Sequence, residues 1–428
     1  MKSNLSQTDI EKAFRSALLN GLIRKEDTAV IFHDLSFLEE RITKLKYLFP
    51  PQTLHAIAIK ANPLSRILEF IKPMNVGIEA ATSGEVHLAL KNGFEPCKIV
   101  YDSPVKTLNE IEFALKTGIH LNIDNLSELE RVNNLLKTIS SKSTIGIRIN
   151  PQVGIGTIAE SSVAGEYSKF GVPINSNRNE LTEAFMNHTW LTGVHLHVGS
   201  QGCPMELLLN GIGVLYDFVT ELNQKRVLIN FPPISSFDIG GGLPVSYQKD
   251  IVPVSMEEYA KFIQKYYPSL FTTHYSLITE FGRWVHVNTG WVASRVEYVK
   301  RDPVINTAMI HVGADLFLRE CLNPIDWQHE YSLLDQNGYL KEGKDDHPYH
   351  LAGPLCFSGD ILAKNIELPR MEEGDYLVIH DTGGYTFSMW SRYNSRQTPR
   401  ILGYFNNGEK IEMLKERETF EDIAGFWK

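Results

Sequence analysis

The feature that most constrains this chain is an eightfold alternation of short apolar runs with amphipathic stretches between Ala29 and Thr289. The runs have the length and composition of buried strands, and the stretches between most of them place apolar residues at three- and four-residue spacing. Eight βα units predict a closed (β/α)8 TIM barrel, although a doubly wound open sheet also fits the alternation. The predicted strands are 54–60, 75–80, 98–103, 119–124, 144–150, 191–199, 235–241 and 275–282.

After Gly290 the sequence changes to shorter β-rich segments with frequent Gly, Pro and Asn, which predicts a second, mainly β domain. The 428 residues, 43% of them hydrophobic, are enough for two cores. We therefore expect an N-terminal segment (1–28) that packs on the β domain, a barrel (29–289) and a C-terminal β domain (290–428).

Composition excludes several functions. The formal charge of −9, without runs of Lys and Arg, gives no nucleic-acid footprint and favours small-molecule partners. The four cysteines form no CxxC pair, so neither a zinc site nor a disulfide framework is indicated. The polar N-terminus and the lack of a membrane-length apolar run lead us to expect a cytoplasmic protein.

Polar residues stand where the predicted strands end, and the carboxyl ends of barrel strands meet on the face that carries active sites. One pocket is therefore expected to collect them. They are Lys60, Asn62, Glu79, Asp102, Asp124, Arg148, Asn150, His197, Ser200, the run Gly240, Gly241 and Gly242, Glu280 and Arg283.

Lys60 ends the apolar strand HAIAIK, so its stem is expected to be buried at the barrel mouth. Burial near other cations leaves an uncharged amine that can form an imine with an aldehyde. Most lysines at strand ends are solvated, however. The run DIGGGLP follows the seventh strand, where such barrels commonly bind phosphate, although a simple tight turn has the same composition.

His197 is expected to lie flat against an aromatic cofactor, with Ser200 as a phosphate donor. His195 points to the same face, so a metal-binding histidine pair is an alternative, weakened by the lack of an evident third ligand. Glu280 would reach a cofactor ring nitrogen, and Arg283 would hold a carboxylate or phosphate with two hydrogen bonds.

Nine segments in this order resemble the fold-type III pyridoxal-phosphate decarboxylases, the alanine racemase-like family of diaminopimelate, ornithine and arginine decarboxylases. The resemblance extends from about Ala29 to Tyr404. The segments are AIKAN at Lys60, EAATSGE at Glu79 and Glu85, RINP at Arg148, SKFG at Lys169, HVGSQ at His197, GGG at 240–242, EFGR at 280–283, GPLCFSGD at Cys356 and Asp360, and GGY at Tyr385.

The resemblance implies that Lys60 carries pyridoxal 5'-phosphate as an imine, that His197 stacks on its ring and that Glu280 pairs with the ring nitrogen. It implies a head-to-tail homodimer in which Cys356 enters the partner's site and returns a proton. The phosphate or adjacent substrate groups are assigned to Ser200, the glycine run, Gly282, Arg283 and Tyr385. Substrate contacts are assigned to Arg283, Arg319, Asn323, Phe357 and Asp360, and the arginine that binds the α-carboxylate is left open.

Phe357 is the most informative departure from the family pattern. Diaminopimelate decarboxylases carry glutamate there, and ornithine decarboxylases aspartate, to bind the distal ammonium group of their substrates. Asn323 replaces an expected tyrosine and Phe281 an expected proline. A distal ammonium would be desolvated without a partner, at a cost on the order of several kcal/mol. The substrate is therefore expected to have a neutral or tethered far end.

The resemblance is closest to the diaminopimelate branch of the family, but with Phe357 and Asn323 the sequence looks like the decarboxylases that act on a glutamyl thioester of an acyl-carrier protein. Three alternatives remain. One is decarboxylation of a free or differently conjugated amino acid, such as diaminopimelate or a siderophore intermediate. The second is a non-catalytic regulatory homologue, which the retained Lys60 and Cys356 disfavour. The third is an amino-acid racemase, which would need a second base opposite Lys60.

Overall fold

The structure, a computed structural model, describes residues 4–248, 254–272, 274–343 and 346–428. It divides into two compact units, one formed by 41–245 and 253–284 (the barrel unit) and the other by 1–40, 246–252 and 285–428 (the β unit). The strands, in chain order, are β1 (Ala29–Asp34), β2 (Leu54–Ala58), β3 (Gly77–Ala80), β4 (Ile99–Asp102), β5 (His120–Ile123), β6 (Ile145–Asn150), β7 (Val172–Pro173), β8 (Leu191–His195), β9 (Ser236–Asp238), β10 (Ser276–Thr279), β11 (Gly290–Lys300), β12 (Asn306–Ile310), β13 (Tyr331–Leu334), β14 (Asp346–Ala352), β15 (Ile361–Pro369), β16 (Tyr376–Ile379), β17 (Arg400–Phe405) and β18 (Lys410–Lys415).

Helices follow most barrel strands, as expected for βα units. The amphipathic α5 shows how local sequence sets the ends of such a helix: Thr107 and Glu110 form a capping box at its start, and Gly118 adopts a φ of +82° at its end. The helices are α1 (Gln7–Leu19), α2 (Leu35–Leu48), α3 (Ser65–Ile71), α4 (Ser83–Lys91), α5 (Leu108–Thr117), α6 (Leu126–Leu136), α7 (Ile174–Asn187), α8 (Met205–Leu228), α9 (Met256–Tyr266), α10 (Gly282–His286), α11 (Leu318–Leu322) and α12 (Phe420–Phe426).

The barrel unit contains a closed circle of eight parallel strands, which confirms the predicted fold. The order around the circle is β2, β3, β4, β5, β6, β8, β9 and β10, and β10 pairs with β2 to close it. Each of the eight predicted apolar runs contains one of these strands. Strands buried on both faces are typical of a parallel sheet covered by helices, which explains why they appear in the sequence as near-continuous apolar runs.

The β unit is built on a sheet in the order β15, β14, β12, β11, β1, β17 and β18, with β16 joining β11 to β13. Its core is aromatic: Phe32 stacks on Trp291 with ring centroids 4.0 Å apart, and Trp291 Nε1 donates to the hydroxyl of Tyr404. Helix α1 packs Phe14 and neighbouring apolar residues against this cluster. The mainly β second domain is therefore confirmed.

The boundaries between the units differ from those expected. Strand β1 was expected within the barrel domain, but it pairs antiparallel with β11 and parallel with β17 in the other sheet. The barrel unit accordingly begins at residue 41 and ends at 284, rather than at 29 and 289. Among the described residues, the structure has no helix with the length and apolar character needed to cross a membrane.

Candidate active site

The charged groups of the barrel unit gather where its strands end. Glu79 is the next-to-last residue of β3, and Asp102 is the last residue of β4. His195 is the last residue of β8, and Glu280 directly follows β10. All four side chains are almost completely buried. Since parallel strands bring their carboxyl ends to one face, this is the expected position for a barrel active site.

Lys60 lies in the short 3-10 turn that follows β2, and its Nζ is 2.5 Å from Oε2 of Glu79. The lysine side chain is 40% exposed, whereas that of Glu79 is fully buried. Burial raises the pKa of Glu79 to about 7, although the charge of Lys60 acts in the opposite direction. Lys60 is therefore the accessible member of the pair.

Glu280 is the centre of a buried ionic cluster. Its Oε2 lies 3.5 Å from Nε2 of His195, whose Nδ1 lies 3.4 Å from Oδ1 of Asp102. Burial alone would raise the pKa of Glu280, but the adjacent His195 and His197 hold that pKa well below its usual range. Arg148 donates to Asp102 at 2.6 Å and, with His195, outweighs burial to lower the pKa of Asp102. Both carboxylates are therefore ionised.

His197 follows β8 and is partly exposed at this face. Its Nδ1 accepts a hydrogen bond from the backbone N–H of Gly241 at 3.2 Å. Burial lowers the pKa of His197 despite the nearby Glu280. The residue therefore presents a neutral aromatic ring, which suits stacking.

The glycine run is shaped by close backbone contacts. The Gly240 N–H donates to Oδ1 of Asp238 at 2.9 Å. Gly242 has a φ of +98°, a conformation that residues with side chains rarely adopt, and a Cβ on Gly241 would lie 2.5 Å from the carbonyl oxygen of Glu280. Only glycine fits here, so the backbone stays open to an anion.

Ser200 and Arg283 lie in the same unit and contact each other. Arg283 Nε donates to the Ser200 hydroxyl at 2.9 Å. Gly282, which precedes this arginine, is closely packed against β2, because a Cβ on Gly282 would lie 2.8 Å from the Cβ of Ala58. The hydroxyl and the guanidinium together are a suitable donor pair for a phosphate.

The remaining predicted residues belong to the β unit. Arg319 donates to the carbonyl oxygen of Tyr385 at 2.9 Å, and its guanidinium lies 4.1 Å from the ring centroid of Trp327. Asn323 donates to Asp326 at 2.8 Å. The structure thus brings Arg319 and Tyr385 together, and the substrate contact assigned to Asn323 stays a prediction.

Cys356 and Phe357 lie on an exposed loop of the β unit. The Cys356 N–H donates to Oδ1 of Asn394, and the hydroxyl of Tyr393 donates to the Cys356 carbonyl oxygen. The Phe357 ring, 38% exposed, packs edge-on against that of Tyr393 with centroids 6.2 Å apart. The thiol and the phenyl ring are therefore presented outward together.

Asp360 was predicted to bind substrate, but its carboxylate is buried and occupied by the backbone. Oδ1 accepts from the N–H of Ala314 and Oδ2 from the N–H of Leu355, both at 2.6 Å. Both oxygens therefore hold the base of the Cys356 loop, and these contacts favour a structural role. An aspartate that binds backbone cannot be told from a substrate ligand by its position in the sequence.

The metal alternative has some geometric support, because ligand atoms of His195, His197 and Glu280 lie within 4.8 Å of one another. Metal ligation requires neutral imidazoles. The carboxylates around His195 hold its pKa well above the usual value against the opposing effect of burial, and the ring is held as a cation between them. This arrangement favours an ion-pair cluster over a metal site.

The donor set fits pyridoxal phosphate. An accessible lysine amine, a neutral histidine ring, a glycine run with a serine–arginine pair, and an ionised buried carboxylate are all present in one unit. Within the described residues, Oε1 of Glu280 has no hydrogen-bond partner despite its burial. Such an oxygen is costly to leave unsatisfied, and a protonated ring nitrogen would satisfy it.

Sequence reasoning missed the partners of several residues. Asp238 was not singled out, although it anchors Gly240, and the buried Lys106 that pairs with Glu128 at 3.0 Å was also missed. An acidic residue at the end of an apolar strand, directly before a glycine run, is the signal that could have identified Asp238. No comparable signal marks Lys106.

A (β/α)8 barrel with this lysine, glycine run and carboxylate defines a pyridoxal-phosphate-binding protein of the fold-type III class. The model of the family described as "Pyridoxal-dependent decarboxylase, pyridoxal binding domain" matches residues 35–287. This chain belongs to that family. Its cofactor is pyridoxal 5'-phosphate, and it is a carboxy-lyase, as the family resemblance in the sequence implied.

Individual relatives agree. The diaminopimelate decarboxylase of Helicobacter pylori strain J99 is 31% identical over 415 residues, covering 94% of this chain and 96% of the relative. The diaminopimelate decarboxylase of Archaeoglobus fulgidus is 25% identical over 405 residues, covering 94% of this chain and 93% of the relative. The crystal structure of diaminopimelate decarboxylase from Helicobacter pylori complexed with L-lysine matches with a TM-score of 0.82 at 27% identity, covering 96% of this chain and 99% of that one.

Proposed function

We propose that this enzyme removes the α-carboxylate of a glutamyl group held through its side-chain carboxyl as a thioester on an acyl-carrier protein. The product is a 4-aminobutanoyl thioester, and the pathway is aminoglycoside antibiotic biosynthesis of the butirosin type. The support for this substrate is its chemistry: the tether leaves the α-amino and α-carboxylate groups free and presents no distal ammonium.

The observation that carries the proposal is Phe357. The segment 355–359 reads LCFSG and contains no carboxylate, whereas diaminopimelate decarboxylases are expected to have glutamate in place of the phenylalanine. The ring is held against Tyr393, so this position presents an aromatic surface. A free ammonium beside it would lose its hydration without a charged partner, while a neutral tether would not.

Pyridoxal phosphate, when bound, supplies the conjugated system that takes up the electron pair left on the α-carbon as carbon dioxide departs. Glu280 would keep a proton on the ring nitrogen, and Lys60 would supply the amine that anchors the cofactor. The glycine run, Ser200 and Arg283 would hold its phosphate, with Tyr385 as a further proposed ligand. Arg283 and Arg319 remain the two candidates for the substrate α-carboxylate.

We propose a homodimer in which Cys356 acts in the site of the second copy. The thiol is exposed and lies on a loop anchored by Asp360 and Asn394. A group that must protonate a carbon in another subunit has to project from its own chain, and this loop meets that requirement.

The test is mass spectrometry of an acyl-carrier protein loaded with glutamate through its side-chain carboxyl, incubated with the enzyme and pyridoxal phosphate. Free diaminopimelate and free glutamate are assayed in parallel. We expect loss of carbon dioxide from the loaded carrier alone, and no loss with Lys60→Ala. Turnover of diaminopimelate with an intact carrier would contradict the proposed substrate.

A matched pair of variants tests the role of Phe357. Phe357→Glu restores a carboxylate and is expected to increase kcat/KM for diaminopimelate by about 10- to 100-fold, since a paired charge replaces an unpaired one. Phe357→Leu keeps the position apolar and serves as the control. Equal effects of the two variants would show that this position does not select the substrate.

Diaminopimelate decarboxylation is the second candidate, favoured by the full-length similarity to enzymes of that name. In that case another cation-binding group would have to replace the missing glutamate. The same mass-spectrometric assay separates the two candidates.

A further inference from the structure

The least expected feature of the site is a histidine buried between two carboxylates. We propose that His195 is a positioning residue, a cationic bridge that links Asp102 to Glu280 and holds the Glu280 carboxylate ionised and oriented for the ring nitrogen of the cofactor. The inference concerns the cofactor and does not depend on which amino acid is the substrate.

The first argument is the number of protons that the geometry requires. The His195 side chain is fully buried, with Nδ1 3.4 Å from Asp102 Oδ1 and Nε2 3.5 Å from Glu280 Oε2. A neutral imidazole has a single N–H, so either tautomer would direct a nitrogen lone pair at a carboxylate oxygen. The doubly protonated ring, by contrast, directs an N–H toward each of the two ionised carboxylates.

The second argument is that His197 cannot supply the cation beside Glu280 in place of His195. Nδ1 of His197 lies 3.6 Å from Oε2 of Glu280 but already accepts the Gly241 N–H. A nitrogen that accepts from the backbone carries no proton to donate to the carboxylate. The cation that stabilises this oxygen is therefore His195.

The third argument is rigidity. Arg148 binds Asp102 at 2.6 Å, so the bridge continues as Arg148, Asp102, His195 and Glu280. Arg148, Asp102 and His195 lie on β6, β4 and β8, and Glu280 directly follows β10. Side chains supported by strands are held more precisely than those on loops, which suits a group that must orient another.

The surrounding charges also favour the cation. Burial alone would lower the pKa of His195, but the negative charges nearby raise it well above its usual value. His120, a histidine on β5 that interacts electrostatically with His195, has a pKa lowered to about 4 by burial and does not compete as a cation. The charged and titratable groups that interact with this cluster are Lys60, Glu79, Asp102, Lys106, His120, Asp124, Arg148, His197, Asp238 and Glu280.

The test replaces His195 with glutamine and reconstitutes the protein with pyridoxal phosphate labelled with ¹⁵N in its ring. In the wild type we expect the ¹⁵N shift of a protonated pyridine. In His195→Gln it should move toward the neutral value, and cofactor affinity should fall about 10- to 100-fold, the range known for outer-shell partners of metal-ligating histidines.

His55→Gln is the matched control. His55 is also a buried strand histidine, bonded through Nδ1 to the hydroxyl of Thr279 at 2.8 Å, with a pKa lowered to about 4 by burial. Its loss should leave the pyridine shift unchanged and the affinity within about threefold. A pyridine nitrogen that stays protonated in His195→Gln, with unchanged affinity, would overturn the proposal.

A measurement on the wild-type enzyme covers the case in which His195→Gln does not fold. Imidazole ¹⁵N shifts of ring-labelled holoenzyme are assigned to His195 by through-bond correlation with its own backbone resonances, which needs no variant at this position. We expect both nitrogens of His195 to remain protonated at pH values well above the ordinary histidine pKa. A single neutral tautomer at such pH values would overturn the proposal.

Discussion

The two units differ in how far their reactive groups are buried and in whether strands or loops carry them. In the barrel unit, Glu79 and His195 are buried to within 1% of complete and lie on or directly after strands. In the β unit, Cys356 and Phe357 are exposed on a loop. Buried groups on strands have fixed neighbours, so their protonation is set by the fold, whereas exposed loop residues can vary without disturbing a core.

This difference matches a division between chemistry and selectivity. Groups that hold the cofactor must keep their charge whatever the substrate, and the barrel provides that. Groups that meet the far end of the substrate can change without altering those that hold the cofactor. In the proposed function Phe357 is such a group, and its exchange requires no change in the barrel.

The largest expected effect comes from removing the anchoring amine. Lys60→Ala should lower the decarboxylation rate by about 10⁴-fold, or roughly 5 kcal/mol of barrier, because no amine remains to attach the cofactor. Borohydride reduction followed by mass spectrometry should locate pyridoxal phosphate on Lys60 in the wild type. Lys98→Ala, a change at a partly exposed lysine outside the proposed site, is the control and should behave as wild type.

The second effect concerns stability in the β unit. Asp360→Ala leaves the N–H groups of Ala314 and Leu355 without their acceptor and should lower the free energy of unfolding of this unit by about 3 kcal/mol. Asp360→Asn keeps one acceptor oxygen and should lower the free energy of unfolding by a smaller amount. Thermal unfolding of both variants measures the difference, and an unchanged Asp360→Ala would contradict the role assigned to this carboxylate.

The third effect is a pH dependence of the stability of the apoenzyme. The folded-state pKa of Glu79, about 7, exceeds its ordinary value of 4.5. The contribution of Glu79 to the free energy of unfolding is therefore most favourable below pH 4.5 and is lost as pH rises through 7. Relative to Glu79→Gln, the wild type should lose up to about 3 kcal/mol of stability between these values. Denaturation at pH 5 and pH 7.5 measures this, and a constant difference would show that Glu79 has an ordinary pKa.

The smallest effect concerns the glycine run. A Cβ on Gly241 would lie 2.5 Å from the Glu280 carbonyl oxygen, so Gly241→Ala should shift the loop and weaken cofactor binding by about tenfold. Gly84→Ala, in helix α4, is the control because its Cβ would have a nearest neighbour at 3.6 Å. Titration of the apoenzymes with pyridoxal phosphate compares them.

Sequence pattern predicted the barrel because each of its strands is an apolar run followed by polar residues. It assigned residues 29–34 to the barrel domain, whereas β1 pairs in the other sheet with residues more than 250 positions away, such as Val30 with Ala293 and with Arg400. An apolar run indicates a buried strand but does not indicate its neighbours.

The same limit applies to the site. The positions of Lys60, His197 and Glu280 at the ends of barrel strands could be predicted from the sequence, and the roles that the family resemblance assigns to them stay predictions. Their partners could not be predicted, because the contacts of Lys60 with Glu79 and of His195 with two carboxylates depend on how side chains meet across strands. Asp360 shows the reverse case, a residue whose motif indicates substrate and whose contacts are with backbone.

The most direct test of the division between the units is a heterodimer. One subunit carries Lys60→Ala and one tag, the other carries Cys356→Ala and a second tag, and the doubly tagged dimer is isolated after co-expression. Each homodimeric variant is expected to be nearly inactive. The heterodimer should recover about half of the wild-type rate per dimer, since one of its two sites receives Lys60 and Cys356 from different chains. A heterodimer as inactive as both homodimers would show that Cys356 does not serve the partner's site and would contradict the account.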